Sequence, residues 1–296
     1  MATGYVKNKQ KLKGIRYMLF AVAAVNALIT VILGIISSFF ENPIPIYLES
    51  LIIGLCAYII PLMIYGRLTK ITTKKAEERF YLKRCEGRYI VLALLLGVCW
   101  QFVMVIMTLP ASFIFGGAGG AAPVNAGELL AAMIVVGVIP AIFEELLFRG
   151  IVDGSMAEFN TRAGIIFSSV MFAVLHADIY NFIGYIFMGV ILTSIVRRTG
   201  SLYSAMVFHL ANNVTALLLG YLSSELMYAP ITTIVMFAAA VVGFVALCGV
   251  LTSMNQKVAP VRATQTATLL GQSFINLPII LCFVTLVTAF IIVRVF

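Results

Sequence analysis

The sequence predicts an all-α fold: a polytopic transmembrane helix bundle of about 8–9 spanning helices, with a cytosolic N-terminus. Three observations predict it. Of 296 residues, 62 % are hydrophobic and only 11 % charged, less than half the roughly 25 % of a soluble domain. Apolar runs long enough to supply the roughly 20 residues that cross a hydrocarbon core recur along the whole chain, and mean hydropathy is +1.07. Threaded with the N-terminus inside, those runs place nineteen of the twenty Lys and Arg residues in the inner connections, as the positive-inside rule requires.

The first run, Tyr17–Phe40, follows the basic start Lys7, Lys9, Lys11, Lys13 and Arg16. It exceeds the roughly 7–15 apolar residues of a cleavable signal, so it is expected to remain as the first span. The further spans are expected at Ile46–Tyr65, Tyr89–Phe115, Glu128–Phe148, Ala163–Leu175, Tyr180–Val196, Leu202–Leu222, Ile231–Thr252 and Phe274–Val293, the fifth being short. Inner connections then collect Arg67, Lys70, Lys74, Lys75, Arg79, Lys83, Arg84, Arg88, Arg149, Arg162, Arg197, Arg198, Lys257 and Arg262, while Arg294 alone falls outside. Glu41, Glu49 and Glu225 fall in outer loops. The net charge of +8 is therefore one-sided membrane charge. It implies lipid headgroups as partners and no nucleic acid.

Arg67–Arg88 has the composition of an amphipathic helix lying on anionic headgroups. Gly116–Gly120 reads as a flexible outer loop; no strand precedes it and no Lys-Ser/Thr follows, which excludes a phosphate cradle. Cys56, Cys85, Cys99, Cys248 and Cys282 are scattered without metal or disulfide spacing. Residues 1–296 read as a single integral membrane domain, with residues 128–222 as its polar core.

Chemistry concentrates in that core. Glu144 and Glu145 end an apolar run, and His176 and His209, the chain's two histidines, also lie in apolar runs. Ionisable groups at such depth are costly and face a bundle interior or a watery cavity. Glu144 and His176 flank a turn near Asn160-Thr161, each about 24 Å from it at 1.5 Å per residue, so a helical hairpin would bring them to one level. Gly150 and Gly154 offer close packing within that hairpin. His209 and Asn213 lie one helical turn apart on one face, roughly 12–18 Å beyond the Gly200-Ser201 start of their span. Arg149, four residues after Glu145, is expected to pair with it, leaving Glu144 free as a general base. Interhelical hydrogen-bond glue explains any one of these residues, but not both carboxylates with both histidines. A metal site is the nearer rival, although the spacing matches neither His-Glu-x-x-His nor the Glu-x-x-His pairs of di-iron bundles. A cavity opening to the cytosol is the inference.

Glu144-Glu145-Leu146-Leu147-Phe148-Arg149, Phe172-Ala173-Val174-Leu175-His176 and His209-Leu210-Ala211-Asn212-Asn213 resemble, in order, the Glu-Glu-x-x-x-Arg, Phe-x-x-x-His and His-x-x-x-Asn motifs of one family. It is the CPBP intramembrane proteases, also called the Abi or type II CAAX prenyl endopeptidase family. The resemblance covers about Glu128 to Leu222, and the stretch Arg198 to Ala205 is similar to bacterial members. It implies hydrolysis of a peptide bond in a membrane-associated protein or peptide, of the prenylated CAAX type or otherwise. Glu144 and His176 would activate water, His209 and Asn213 would stabilise the oxyanion, and Glu145, Arg149 and Phe172 would support the site. It implies no certain cofactor; a divalent metal such as zinc, if used, would sit on Glu144, His176 and His209. It also implies a prokaryotic plasma membrane and an active site accessible from the cytosolic side. The alternative is a non-catalytic protein, a bacteriocin-immunity protein or scaffold, or a transporter using the same polar cavity.

Overall fold

The computed structural model describes residues 2–39, 46–69, 77, 80–115, 122–223, 230–258 and 266–295. The glycine run 116–120, residues 70–76, 78 and 79 of the basic connector, Glu41, Glu225 and Arg262 lie outside the described residues. Ten helices follow in order: α1 Ala2–Ser38, α2 Ile46–Thr69, α3 Gly87–Phe115, α4 Ala126–Ala157, α5 Thr161–Leu175, α6 Phe182–Thr199, α7 Leu202–Tyr221, α8 Pro230–Ser253, α9 Thr266–Phe274 and α10 Leu277–Val295. Seven are long and apolar enough to cross a membrane. An eighth crossing arises if α9 and α10, bent by 51° at their junction, form one broken span.

Two expected spans are thereby corrected. The ninth is not a straight helix, because Asn276 interrupts it: its side-chain oxygen accepts from Ile279 N at 3.2 Å and caps the second half. The fifth, α5, has 15 residues and covers only about 22 Å, short of the roughly 30 Å core. Its partner α4 compensates by running unbroken over 32 residues.

The α4–α5 turn forms where sequence spacing places it. Asn160 adopts an extended conformation and its Oδ1 accepts from Ala163 N at 3.1 Å, which starts α5. Close approach within the hairpin is made by Gly164, where a Cβ would come within 2.8 Å of Asp153 Oδ1. The expected Gly150 packs instead against the Phe80 ring of the basic connector. Gly97 of α3 does more: a Cβ there would lie 2.3 Å from the Phe208 carbonyl oxygen, so α3 and α7 meet at near backbone contact, one residue from His209.

The connections gather at two ends. At one, Leu202 N donates to Tyr81 O at 2.8 Å, Lys257 N to Arg197 O at 2.9 Å, and Asn160 Nδ2 to Thr266 Oγ1 at 2.8 Å. Lys83, Arg84, Arg88, Arg162, Arg197, Arg198 and Lys257 cluster there. A buried clamp lies beneath: Arg197 Nη2 donates to both oxygens of Asp153 at 2.9 Å. At the other end, Tyr180 OH donates to Phe115 O, and Glu49, Glu128, Asp178 and Arg294 are the charged residues among those described. Large apolar side chains such as Leu130, Ile134, Ile231 and Ile234 cover the outside, a surface suited to lipid. The chain is an integral membrane protein.

Candidate active site

The site is built on an irregular helix. Within α4, wide π-turns at Met133–Val138 and Leu146–Asp153 flank a regular segment, Ile139–Glu145, and the two carboxylates end that segment. Such turns recur at functional sites. Pro140 has no N–H to give Val136 O, four residues back. Asn213 Nδ2 of α7 donates to that carbonyl at 2.9 Å, which ties α7 to α4 beside the carboxylates.

Glu145 is fully buried. Its Oε1 accepts from Arg149 Nη1 at 2.9 Å, the expected pair, and also from His209 Nδ1 at 2.8 Å. The Arg149 guanidinium, equally buried, lies 4.3 Å from the centre of the Phe172 ring, within cation–π range. Phe172 thus occupies the middle of the cluster, with His176 at 4.5 Å and His209 at 5.8 Å between ring centres.

Glu144 differs from its neighbour. Its Oε1 accepts from Tyr58 OH of α2 at 2.7 Å. Its buried Oε2 has no hydrogen-bond partner among the described protein groups and faces His176 Nε2 at 3.6 Å and His209 Nε2 at 3.9 Å. Both imidazoles are held from behind. A carbonyl can only accept, so His176 Nδ1–H donates to Phe172 O at 2.7 Å. His209 Nδ1–H donates to Glu145. Each ring therefore presents Nε2 to Glu144. Tyr185 stacks on His176 at 4.0 Å and fixes its plane. The next residue, Ala177, takes φ +49°, a left-handed conformation costing roughly 1–2 kcal/mol in a residue with a Cβ. It ends α5 at the catalytic level.

A cavity of about 480 Å³ joins these groups. Glu144, His176, His209 and Asn213 all line it, together with Asn212, Tyr185, Asn181 and Gln101. The hairpin geometry expected from chain spacing is what the structure shows. The lining residues run away from the Asn160 turn, along α7 to Gly220 and to Ala122 and Pro123 ahead of α4. Depth counted from a turn locates the side chains but does not tell which ends of the helices part around them. As for zinc, among the described residues no group of three or more His, Cys, Asp or Glu side chains is arranged to hold a metal ion.

Two participants escaped sequence reasoning. Tyr58 and Tyr185 look like ordinary aromatics of apolar helices, and only the need of a buried hydroxyl for a partner could have marked them. Asn212, given no role by its place inside the His-x-x-x-Asn motif, is buried against the cavity, with Nδ2 donating to Asn213 Oδ1 at 3.1 Å.

Residues 126–215 match the family described as Type II CAAX prenyl endopeptidase Rce1-like. This segment is similar to that family. The Rce1-like region spans α4, α5, α6 and most of α7, and so contains every motif residue of the cluster. Gln101 lines the same cavity, and Tyr58 bonds Glu144, from helices outside it. The comparisons with curated proteins and with solved structures find no match.

Proposed function

We propose that this protein is an intramembrane endopeptidase that hydrolyses a peptide bond of a membrane-associated protein or peptide, using water activated by Glu144 and His176 without a metal. One observation carries the reading: a buried carboxylate oxygen, Glu144 Oε2, stands free of hydrogen bonds between two imidazole Nε2 atoms at the wall of the cavity. A water held there can give its proton to Oε2 as its oxygen attacks the scissile carbonyl. The new C–O bond places negative charge on the carbonyl oxygen. His209, backed by Glu145, and the Asn213 amide stand at the cavity where that oxyanion forms; a donor to it is worth about 3–4 kcal/mol of barrier. Collapse breaks the C–N bond, and the proton taken by Glu144 passes to the leaving amine. Water is consumed and a carboxyl and an amino terminus form.

Charge supports the assignment. Glu144 and Glu145 carry two negative charges against the single positive charge of Arg149, so one further proton on Glu144 or an imidazole would neutralise the cluster. An uncompensated charge there would be destabilising. A mobile proton among three groups is what acid–base work needs.

Mass spectrometry of membrane peptides from cells making the wild-type or the Glu144→Gln chain tests the reading and exposes the substrate. Cleavage products confined to wild-type cells are expected, and they should persist when membranes are assayed with a chelator. Peptide profiles unchanged by both Glu144→Gln and His176→Ala would overturn it in favour of a non-catalytic role.

A further inference from the structure

We propose that substrate reaches Glu144 from the extracytosolic half of the bilayer, as an extended polypeptide segment presented on that side rather than as a prenylated cytosolic C-terminus. The substrate half of this proposal rests on the peptidase reading above; the access half does not.

The structure gathers basic groups at one end independently of any threading. α2 runs alongside α4 in the same direction, since Gly54 meets Ile139 and Tyr58 meets Glu144. The N-terminal end of α1, the far end of α2, the 80–86 segment, the Asn160 turn, the Gly200-Ser201 junction and Lys257 therefore share an end. Among the described residues the opposite end carries Glu49, Glu128 and Asp178 and one basic residue, Arg294 at the end of α10. The positive-inside rule assigns the basic end to the cytosol.

The cavity runs the other way. No residue of the basic end lines it; its walls follow α7 from His209 to Gly220 and reach the exposed Ala122. On the cytosolic side the floor is closed by the Arg149–Glu145–His209 cluster and, below that, by the Asp153–Arg197 clamp. A cytosolic peptide would have to pass both buried ion pairs.

The wall chemistry names the guest. Gln101, Asn181, Asn212 and Asn213 bring four neutral amides to one cavity, and Asn212 Oδ1 is buried without a hydrogen-bond partner among the described groups. Amides offer donors and acceptors together. That suits the alternating N–H and C=O groups of an extended backbone, which need partners wherever water is scarce. An isoprenoid chain needs none.

The experiment uses the full chain carrying Ala122→Cys in membrane vesicles of known sidedness. A membrane-impermeant maleimide is added, and the labelled cysteine is located by peptide mass spectrometry. Native Cys85, in the 80–86 segment, reports the basic end. Labelling of the introduced cysteine in right-side-out vesicles, lost in inverted ones, with Cys85 showing the reverse, is expected. Labelling at position 122 confined to inverted vesicles, or equal in both, overturns the proposal. If this variant does not accumulate, Val124→Cys on the same exposed approach serves instead.

A second arm offers one peptide segment anchored on either side of the membrane, beside a prenylated cytosolic CAAX reporter. Cleavage of the extracytosolic reporter alone, lost with Glu144→Gln, is expected. Cleavage of a cytosolic reporter overturns this proposal and keeps the peptidase. Cleavage of none removes the peptidase reading and the substrate half with it, while the labelling still decides the side of access.

Discussion

Two buried carboxylate–guanidinium regions lie on α4, eight residues apart, and they are finished differently. In the clamp, one nitrogen of Arg197 serves both oxygens of Asp153 at 2.9 Å, and Arg197's carbonyl holds the backbone of Lys257 and Val258. Every oxygen of that carboxylate is used. In the site, Arg149 and His209 converge on one oxygen of Glu145, Tyr58 takes one oxygen of Glu144, and Glu144 Oε2 is left facing two imidazoles. A closed valence joins helices; Glu145 Oε2 is also without a partner among the described groups, but the open oxygen of Glu144 belongs to the residue that lines the cavity and faces two imidazoles, where it is available for chemistry. The same residue types thus serve scaffold and site, and partners rather than burial separate the roles.

Replacing the open oxygen should break the comparison most severely. Glu144→Gln keeps shape and burial but removes the base, so turnover should fall by about 10³-fold or more. Thermal unfolding in detergent should stay within about 1 kcal/mol of wild type, because no ion pair is lost. The clamp should behave oppositely. Arg197→Met leaves Asp153 buried and unpaired, which costs about 3–5 kcal/mol, whereas the double change Asp153→Leu with Arg197→Met should recover most of that and retain cleavage. Unfolding midpoints of the three chains check it; a double variant as unstable as the single one would show that the clamp's charges do more than fill space.

Much of this was legible in the chain, and the failures have physical causes. The level of Glu144 with His176 followed from equal counts to one turn, and the Glu145–Arg149 pair from helical periodicity, because both are local rules of one element. His209 donating to Glu145, Tyr58 reaching Glu144 and the direction of the cavity depend on which helices lie side by side. Spacing along the chain carries no such information. The π-turns of α4 were equally hidden, although Pro140 inside the span was a visible cause of irregularity. The span count erred where length was ambiguous: α5 is helical as expected, but too short to cross alone.

A smaller effect should follow from tightening the contact that carries His209 to the cluster. Gly97→Ala forces a Cβ to within 2.3 Å of the Phe208 carbonyl, and backbone cannot yield as a side chain can. Overpacking of this kind destabilises by about 1–3 kcal/mol. α7 must shift outward, so the unfolding midpoint and turnover should fall together. Gly97→Ala with unchanged turnover would mean that His209 tolerates displacement and that its link to Glu145 is not a requirement of position.

The smallest change is expected at Tyr58, and it examines how the two oxygens of Glu144 divide their work. Among the described residues its hydroxyl gives the one hydrogen bond to Oε1, at 2.7 Å, and it comes from a helix outside the Rce1-like segment. Tyr58→Phe removes that donor and nothing else of size. A hydrogen bond to a charged group contributes about 1.5–3 kcal/mol. If it holds Glu144 in the orientation that aims Oε2 at the imidazoles, kcat should fall by roughly 10- to 100-fold. KM should stay unchanged, since Tyr58 is not among the residues lining the cavity. If Tyr58 only packs α2 against α4, Tyr58→Phe should keep full kcat, and Tyr58→Ala alone should lower stability. Kinetics on the two variants separate these outcomes, and a full kcat for Tyr58→Phe would move Tyr58 from the open region to the closed one.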